Sequence, residues 1–448
     1  MRIDYLSLRN FKKFPQLTLD LHPQLTVLVG DNGSGKTTIL DALAVSLGIW
    51  LVDPPDPSLR TSGRNILPTE IRLEYSPKGD RTQFRAIRPV IVQATGQIGD
   101  VPGVTWTRQI REAGKRTTNL EAKKALQIIQ DIYRRDEARE EVVCPVLAYY
   151  GAGRAWLPSN QRLPAEAKSN DPAWRWAAFY DCFNERIRFD ELHRWFHRET
   201  TAAGNRGGRM RPGFVAVKQA VLNCVPEADG LWFDPDREQI VLSIEGQAQP
   251  FDNLSAGQRM MLALVADIAI KAVTQNAHLL PPDELGPEDE PLPRLFQKTP
   301  GVVLIDELDV HLHPRWQRRV TADLKRTFPG IQFVCTSHSP QVIGEVTRDE
   351  VRMLQDEGVT APTVALGADS NWILDHVMEG ATSETPAARA LKDKAEDALE
   401  EGDLKAARED LEKLRRLLDG DTGELVRLKS SLYALEALAE GEGDGEDD

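Results

Sequence analysis

Two kinds of hydrophobic period divide this chain. Leu25-Thr26-Val27-Leu28-Val29 is a short apolar, β-prone run, and Thr38 to Leu47 repeats its apolar residues at helical spacing. Val302-Val303-Leu304-Ile305 and Gln332-Phe333-Val334-Cys335 are two more apolar runs, each ending in polar residues. Unbroken apolar character suits strands covered on both faces, as in a parallel sheet. Val142 to Leu147 reads the same way. Residues 53 to 141 are richer in strands and turns, with Ile71-Arg72-Leu73-Glu74-Tyr75 and Val104-Thr105-Trp106-Thr107-Arg108 the clearest. After Val377 the pattern becomes helical. Leu404, Ala407, Leu411, Leu414 and Leu418 form an amphipathic seam, flanked by helical segments at 388–400 and 424–438. The pattern predicts an α/β body followed by a helical appendage.

The strand–helix pair at 25–47 encloses Gly30-Asp31-Asn32-Gly33-Ser34-Gly35-Lys36-Thr37, a complete G-x-x-x-x-G-K-T loop, with Thr38 next. Glycines between a strand and a helix N-terminus let backbone N–H groups surround phosphates. In that role Lys36 reaches the β- and γ-phosphates of ATP, and the Thr37 hydroxyl holds Mg²⁺. The Val302 run ends in Asp306-Glu307, two carboxylates expected at the C-terminal edge of a parallel sheet, where ligands bind. Asp306 is the candidate Mg²⁺ contact, and Glu307 the candidate general base that polarises the attacking water. The strand at 332–335 ends in Thr336-Ser337-His338, which aims His338 at the γ-phosphate.

With Leu254-Ser255-Ala256-Gly257-Gln258 between these motifs, the chain resembles the ABC-type ATPases, in the SMC/RecF/OLD branch. The resemblance implies an ATPase head: a P-loop mixed sheet with an antiparallel β-layer, a short helical insertion, and a C-terminal helical appendage. It implies that Ser255, Gly257 and Gln258 open a helix whose N-terminus binds the γ-phosphate held by a second subunit. Ala256 departs from the commonest glycine there. Leu6 to Lys13 is similar to the opening strand of SMC and RecF proteins, in which a basic residue, here Arg9, Lys12 or Lys13, assists at the phosphates. Asp309 resembles the aspartate that crosses the dimer interface. The His311-Leu312-His313-Pro314 ending looks like the RecF/OLD subgroup and unlike transporters. The family's Q-loop glutamine has no clear counterpart: Tyr149 to Arg154 occupies its region without one, and Gln161 is a weak substitute.

On this reading, residues 1–154 form the N-terminal lobe and 155–225 a helical insertion or lid. Residues 226–377 form the C-terminal lobe, 378–440 an acidic helical tail, and 441–448 a disordered end. The composition of 41% apolar residues supports a large core. Met260 to Ile270, the richest apolar window, is broken by Asp267, so no membrane span is expected. The start directly into a strand predicts no signal or transit peptide, and four scattered cysteines fit a reducing cytoplasm. The net charge is −14, of which Ala381 to Asp448 supplies −10. That balance argues against a broadly nucleic-acid-coated surface. A second acidic stretch, Pro281 to Pro291, reads as a solvated loop.

One local stripe differs. Ala173 to Arg211 holds eight arginines among Trp174, Trp176, Phe179, Tyr180, Trp195 and Phe196. It is a candidate contact for nucleic acid or a partner, with the aromatic residues as its packing face. His193 and His197 share a helix face, but no third ligand lies nearby, so zinc is not expected.

Asn371 to Met378 and the Leu404–Leu418 helix also look like the ATPase subunit, PtuA, of Septu-type antiphage systems and of the retrons that borrow it. That resemblance implies an HNH nuclease supplied by a separate subunit. OLD-type nucleases carry their own Toprim domain after the His338 region. Here 110 largely helical residues follow, and their one D-x-D, Asp419-Gly420-Asp421, reads as a solvated turn. The expected function is ATP-driven closure of paired heads that gates the nuclease. The alternatives are a RecF-like clamp that grips DNA itself, and an ATP-dependent scaffold with negligible turnover.

Overall fold

The computed structural model describes residues 1–78, 81–155, 174–280, 294–355, 358–378, 385–418 and 420–443. Gln161, the acidic stretch at 281–291, Asp419 and residues 444–448 lie outside these. The chain forms two compact units, Met1–Met378 and Glu379–Asp448.

The first unit is built on a six-stranded sheet ordered β15 (Gly358–Thr360), β14 (Val351–Gln355), β3 (Leu25–Val29), β13 (Ile331–Thr336), β12 (Gly301–Ile305) and β8 (Val146–Tyr150). From β14 to β8 all neighbours run parallel, and β15 closes one edge antiparallel. Every residue of β3, β8, β12 and β13 is buried, which accounts for their unbroken apolar runs. A second, antiparallel sheet, ordered β2 (Phe14–Asp20), β1 (Arg2–Phe11), β6 (Val90–Ile98) and β7 (Val101–Ile110), forms the β-layer. Helix α1 (Lys36–Leu47) lies between the two, and its residues Ile39 to Leu47 are all buried. A buried glutamine joins the sheets. Gln332 donates from Nε2 to the Ile3 carbonyl at 2.7 Å and accepts the Ile3 N–H at 2.8 Å.

The N-terminal half holds two elements that the pattern did not resolve. Helix α2 (Lys123–Glu137) packs Ala125, Ile129, Ile132 and Tyr133 inward, in a segment otherwise crowded with charge. The run at 71–75 is split: Ile71 bridges Phe11 of β1, while Leu73 to Tyr75 enter a separate hairpin, β4 (Leu73–Lys78) with β5 (Arg81–Ala86). Its Leu73, Tyr75 and Phe84 are exposed.

On the other face of the main sheet lie α3 (Phe189–Gly204), α4 (Pro212–Cys224), α5 (Ala256–Asn276) and α7 (Pro314–Thr327). With them is a small antiparallel sheet of β9 (Ala228–Asp234), β10 (Gln239–Ile244) and β11 (Gln247–Pro250). Short helices α6 (Arg294–Lys298), α8 (Pro340–Ile343) and α9 (Ser370–His376) complete the unit. Ala256–Leu279 is long and apolar enough to cross a membrane by length and composition alone. Its most apolar window is 72% buried in the body, so the apolar character serves the core.

The expected lid is not a separate layer in its described part. Trp195, Phe196, Phe214 and Val217 of α3 and α4 are buried in the same core as α5, with the three rings packed on one another. Four of the eight arginines in the stripe are engaged within the chain. Arg175 pairs with Asp136, Arg194 with Glu191 and Arg211 with Glu199, while Arg188 lies over the Tyr180 ring. His193 and His197 stand edge-on to Phe233. Among the described residues no group of three or more metal-ligating acidic, histidine or cysteine side chains is gathered.

The second unit comprises α10 (Pro386–Glu400), α11 (Leu404–Leu418) and α12 (Gly423–Gly443), around Ala388, Ala395, Ala407, Leu411, Leu414, Leu425, Leu428 and Leu432. Helix α12 runs past residue 440, so the polar end predicted as disordered from 441 begins as helix. Asp421 of the D-x-D is paired with Lys429 at 2.8 Å and Arg415 at 3.4 Å.

Candidate nucleotide site

The turn from β3 into α1 places the G-x-x-x-x-G-K-T residues at the C-terminal edge of the sheet. No side chain caps α1. Its N-cap is Gly35 at φ 107°, leaving the first-turn N–H groups available to an anion. Glycine is required there, because a Cβ would overlap the ring of Phe14. The Ser34 hydroxyl beside it is buried with no protein partner. Asn32 and Gly33 are exposed on the loop, and Thr38 is half-buried in the first turn.

Lys36 is buried and folded back over the loop. Its Nζ donates to the carbonyls of Gly30 (2.8 Å) and Asp31 (3.0 Å). Burial holds its pKa below the usual 10.5, against the opposing pull of Asp306, Asp31, Glu307 and Asp309. The Thr37 hydroxyl donates to Asp306 Oδ2 at 2.9 Å, and the Thr336 hydroxyl donates to Asp306 Oδ1 at 2.6 Å. Thr336 Oγ1 also accepts the Glu307 N–H at 2.7 Å. Two strand ends and the first turn of α1 thus meet at one carboxylate. A hydroxyl and a carboxylate in contact are the oxygen donors that Mg²⁺ takes when phosphates supply the rest of its shell. These residues fit a magnesium nucleotide.

Glu307 follows at φ 50°, half-buried on the left-handed turn that leaves β12. Asp309, expected at a subunit interface, has its carboxylate engaged within the chain. It accepts the Ser337 hydroxyl at 2.6 Å and the His338 N–H at 3.2 Å. His338 itself is half-buried at the end of β13. Of the three candidate basic residues near the N-terminus, Lys13 is the one at the loop, donating to the Gly33 carbonyl at 2.7 Å. Lys12 is tied to Asp41 and lies 3.8 Å from Glu70, while Arg9 is exposed on β1. Arg64 bonds the same two carboxylates, so a buried charge cluster fixes the β1–β2 turn against α1.

Ser255 caps α5 in a reciprocal box with Gln258: each accepts the other's backbone N–H, at 2.9 and 3.3 Å. These bonds use the acceptor oxygens of both side chains at the helix end. Gly257 is buried, and a Cβ there would lie 2.6 Å from the His311 carbonyl oxygen. The first turn of α5 thus rests on the segment that follows Glu307, and it is not hydrogen-bonded to the phosphate loop. In the Q-loop region, Gly151 donates its N–H to the Glu185 carbonyl at 2.9 Å and Tyr150 donates to Asp267 at 2.6 Å, which is the bonding of a structural turn.

The bond from Thr336 to Asp306 and the contact of Gly257 with His311 have no signature in the sequence. Each joins residues far apart along the chain through ordinary side chains or a carbonyl.

Residues 5–194 match the family model "AAA domain", and residues 241–344 match "AAA domain, putative AbiEii toxin, Type IV TA system". The chain is 25% identical to the "Retron Ec83 probable ATPase" of Escherichia coli, across 85% of this chain and 76% of that one. It is 29% identical to the "Septu protein PtuA" of Bacillus mycoides, across 78% of this chain and 39% of that longer one. Among solved structures it aligns with the SMC head domain from Thermotoga maritima at 13% identity and TM-score 0.42, covering 82% and 100% of the two chains.

Proposed function

We propose, for a chain that belongs to the AAA/ABC-type ATPases of the SMC/RecF branch and has retron and Septu ATPases among its homologues, that it hydrolyses ATP between two paired heads and thereby gates a separate HNH-type nuclease in antiphage defence. The observation that carries the ATPase part is the junction of Thr37, Asp306 and Thr336 beside an uncapped helix N-terminus and a buried lysine. The names of the relatives support the defence part.

In this reading the α1 N–H groups, Ser34 and Lys36 hold the phosphates. Thr37 and Asp306 hold Mg²⁺, which neutralises phosphate charge when bound. Glu307 takes a proton from the attacking water, and His338 faces the γ-phosphate from the next strand. Lys13 adds charge beside the loop. The second head supplies Ser255 and the N–H groups at Gly257 and Gln258, whose helix end favours the γ-phosphate. Closure requires nucleotide, and hydrolysis removes the group that joins the heads.

Two results test the reading. Gly257→Ala should leave the protein folded with a loss of about 1–3 kcal/mol from overpacking, while ATP turnover drops at least tenfold. A thermal melt with a steady-state assay measures both, and full turnover would remove Gly257 from the site. For the partner, the Glu307→Gln protein should be recovered from its native cell in the presence of ATP and its companions identified by mass spectrometry. An HNH nuclease is expected. Recovery of replication or repair proteins with bound DNA instead would replace the gating account with the RecF-like clamp.

A further inference from the structure

Every polar atom of one side chain on α7 is committed between two loops of the site. Gln317, half-buried at the fourth position of that helix, donates from Nε2 to the carbonyls of Asp309 (3.2 Å) and Leu312 (3.0 Å). Its Oε1 accepts the Ser339 hydroxyl at 2.7 Å. The Asp309 carboxylate ties the same two segments in the opposite sense, through Ser337 and the His338 N–H. Residues 309–312 are therefore latched to 337–339 from both sides. Their backbone is a defined path, with Glu307 (φ 50°) and His311 (φ 63°) in the left-handed region near its ends. The His311 carbonyl is the group against which Gly257 packs.

We propose that Gln317 is a positioning residue that makes the segment around His338, the 309–312 segment and the first turn of α5 move as one body. This rests on the paired-head reading above. There, His338 reports on the nucleotide of its own head, while the α5 turn serves the nucleotide of the other. A latch within one chain then crosses the dimer: occupancy of one site sets the geometry offered to the second. Gln317 touches neither nucleotide nor water in this scheme. Its action is on two carbonyls and a hydroxyl. An amide is the side chain that suits this, having two donors for the carbonyls and one acceptor for the hydroxyl.

The test uses full-length protein in the slow-hydrolysing Glu307→Gln background, with Gln317→Leu and Gln317→Glu added separately. Leucine keeps the volume and removes all three bonds. Glutamate keeps the acceptor for Ser339 and sets a carboxylate against two carbonyls. Binding of a fluorescent ATP analogue, measured on protein dilute enough to be monomeric, should change less than twofold. ATP-driven dimerisation, read by sedimentation, should need at least ten times more ATP in both variants. With Glu307 restored, half-maximal turnover should move to at least ten times more ATP together with closure, and the Hill coefficient for ATP should drop to one. Equal loss of monomer binding and closure would mark Gln317 as a structural residue and overturn the proposal. So would closure at the parental ATP concentration. If the Glu307→Gln parent binds ATP and never dimerises, the paired-head reading falls and takes the latch with it. That failure is visible before any Gln317 variant is made.

Discussion

Glu307→Gln should reduce ATP turnover by about two to four orders of magnitude, the usual worth of a positioned general base, while leaving ATP bound. The substitution preserves the shape of the side chain and removes its capacity to accept a proton. The backbone at this position is already fixed. The Glu307 N–H is held by Thr336, φ is in the left-handed region, and Thr336 also secures Asp306. The variant should therefore retain the Thr37–Asp306–Thr336 junction and the phosphate loop. If closure of paired heads is driven by ATP and reversed by hydrolysis, the Gln variant accumulates as an ATP-loaded dimer. Stopped turnover with unaltered sedimentation would separate catalysis from pairing. Turnover within threefold of the native rate would take the general-base role away from Glu307.

Lys36→Ala should lower ATP affinity about a hundredfold or more, since it removes charge-assisted bonds from a desolvated site. Here the ammonium lies across the loop on the Gly30 and Asp31 carbonyls, and burial has lowered its pKa. The sign of the pH effect follows. As pH rises toward 10.5, the free protein loses the Lys36 proton earlier than an exposed lysine would, and bound phosphate favours its return. ATP binding should therefore take up protons at alkaline pH, and Lys36→Ala should abolish that uptake. Calorimetric titration in buffers of different ionisation enthalpy measures it. Wild-type affinity in the alanine variant would refute the phosphate role.

How much of this was legible in the chain depends on distance. The phosphate loop, the strand before it and the helix after it are contiguous, so glycine spacing and a buried apolar run were enough to place them. The Val302 and Gln332 strands were legible because burial on both faces leaves an unbroken apolar string. Helix α2 was not, because its four buried residues sit among charges in a segment dominated by short strands. The packing of the 155–225 insertion was not legible for another reason. Trp195 and Phe214 pack near-parallel in the core with α5, and sequence gives the rings without saying which surface they cover. Within the site, side-chain type was readable and partnership was not. Asp309 carries the sequence of an interface residue, yet the structure sets its carboxylate on the chain's own Ser337 and His338. Gln317 gives no local signal at all.

The strand order has a consequence for synthesis. β3, which carries the phosphate loop, pairs on one side with β13 and on the other with β14. Its own sequence is complete at Val29, but its neighbours end at Thr336 and Gln355. On a ribosome adding roughly 5–20 residues per second, the nucleotide strand waits tens of seconds for either edge to be covered. Until then its five residues, four of them apolar, have nothing to pair with in this sheet. A nascent chain halted before Ile331 contains the whole phosphate-binding motif but lacks the neighbouring strand, whose Thr336 secures Asp306.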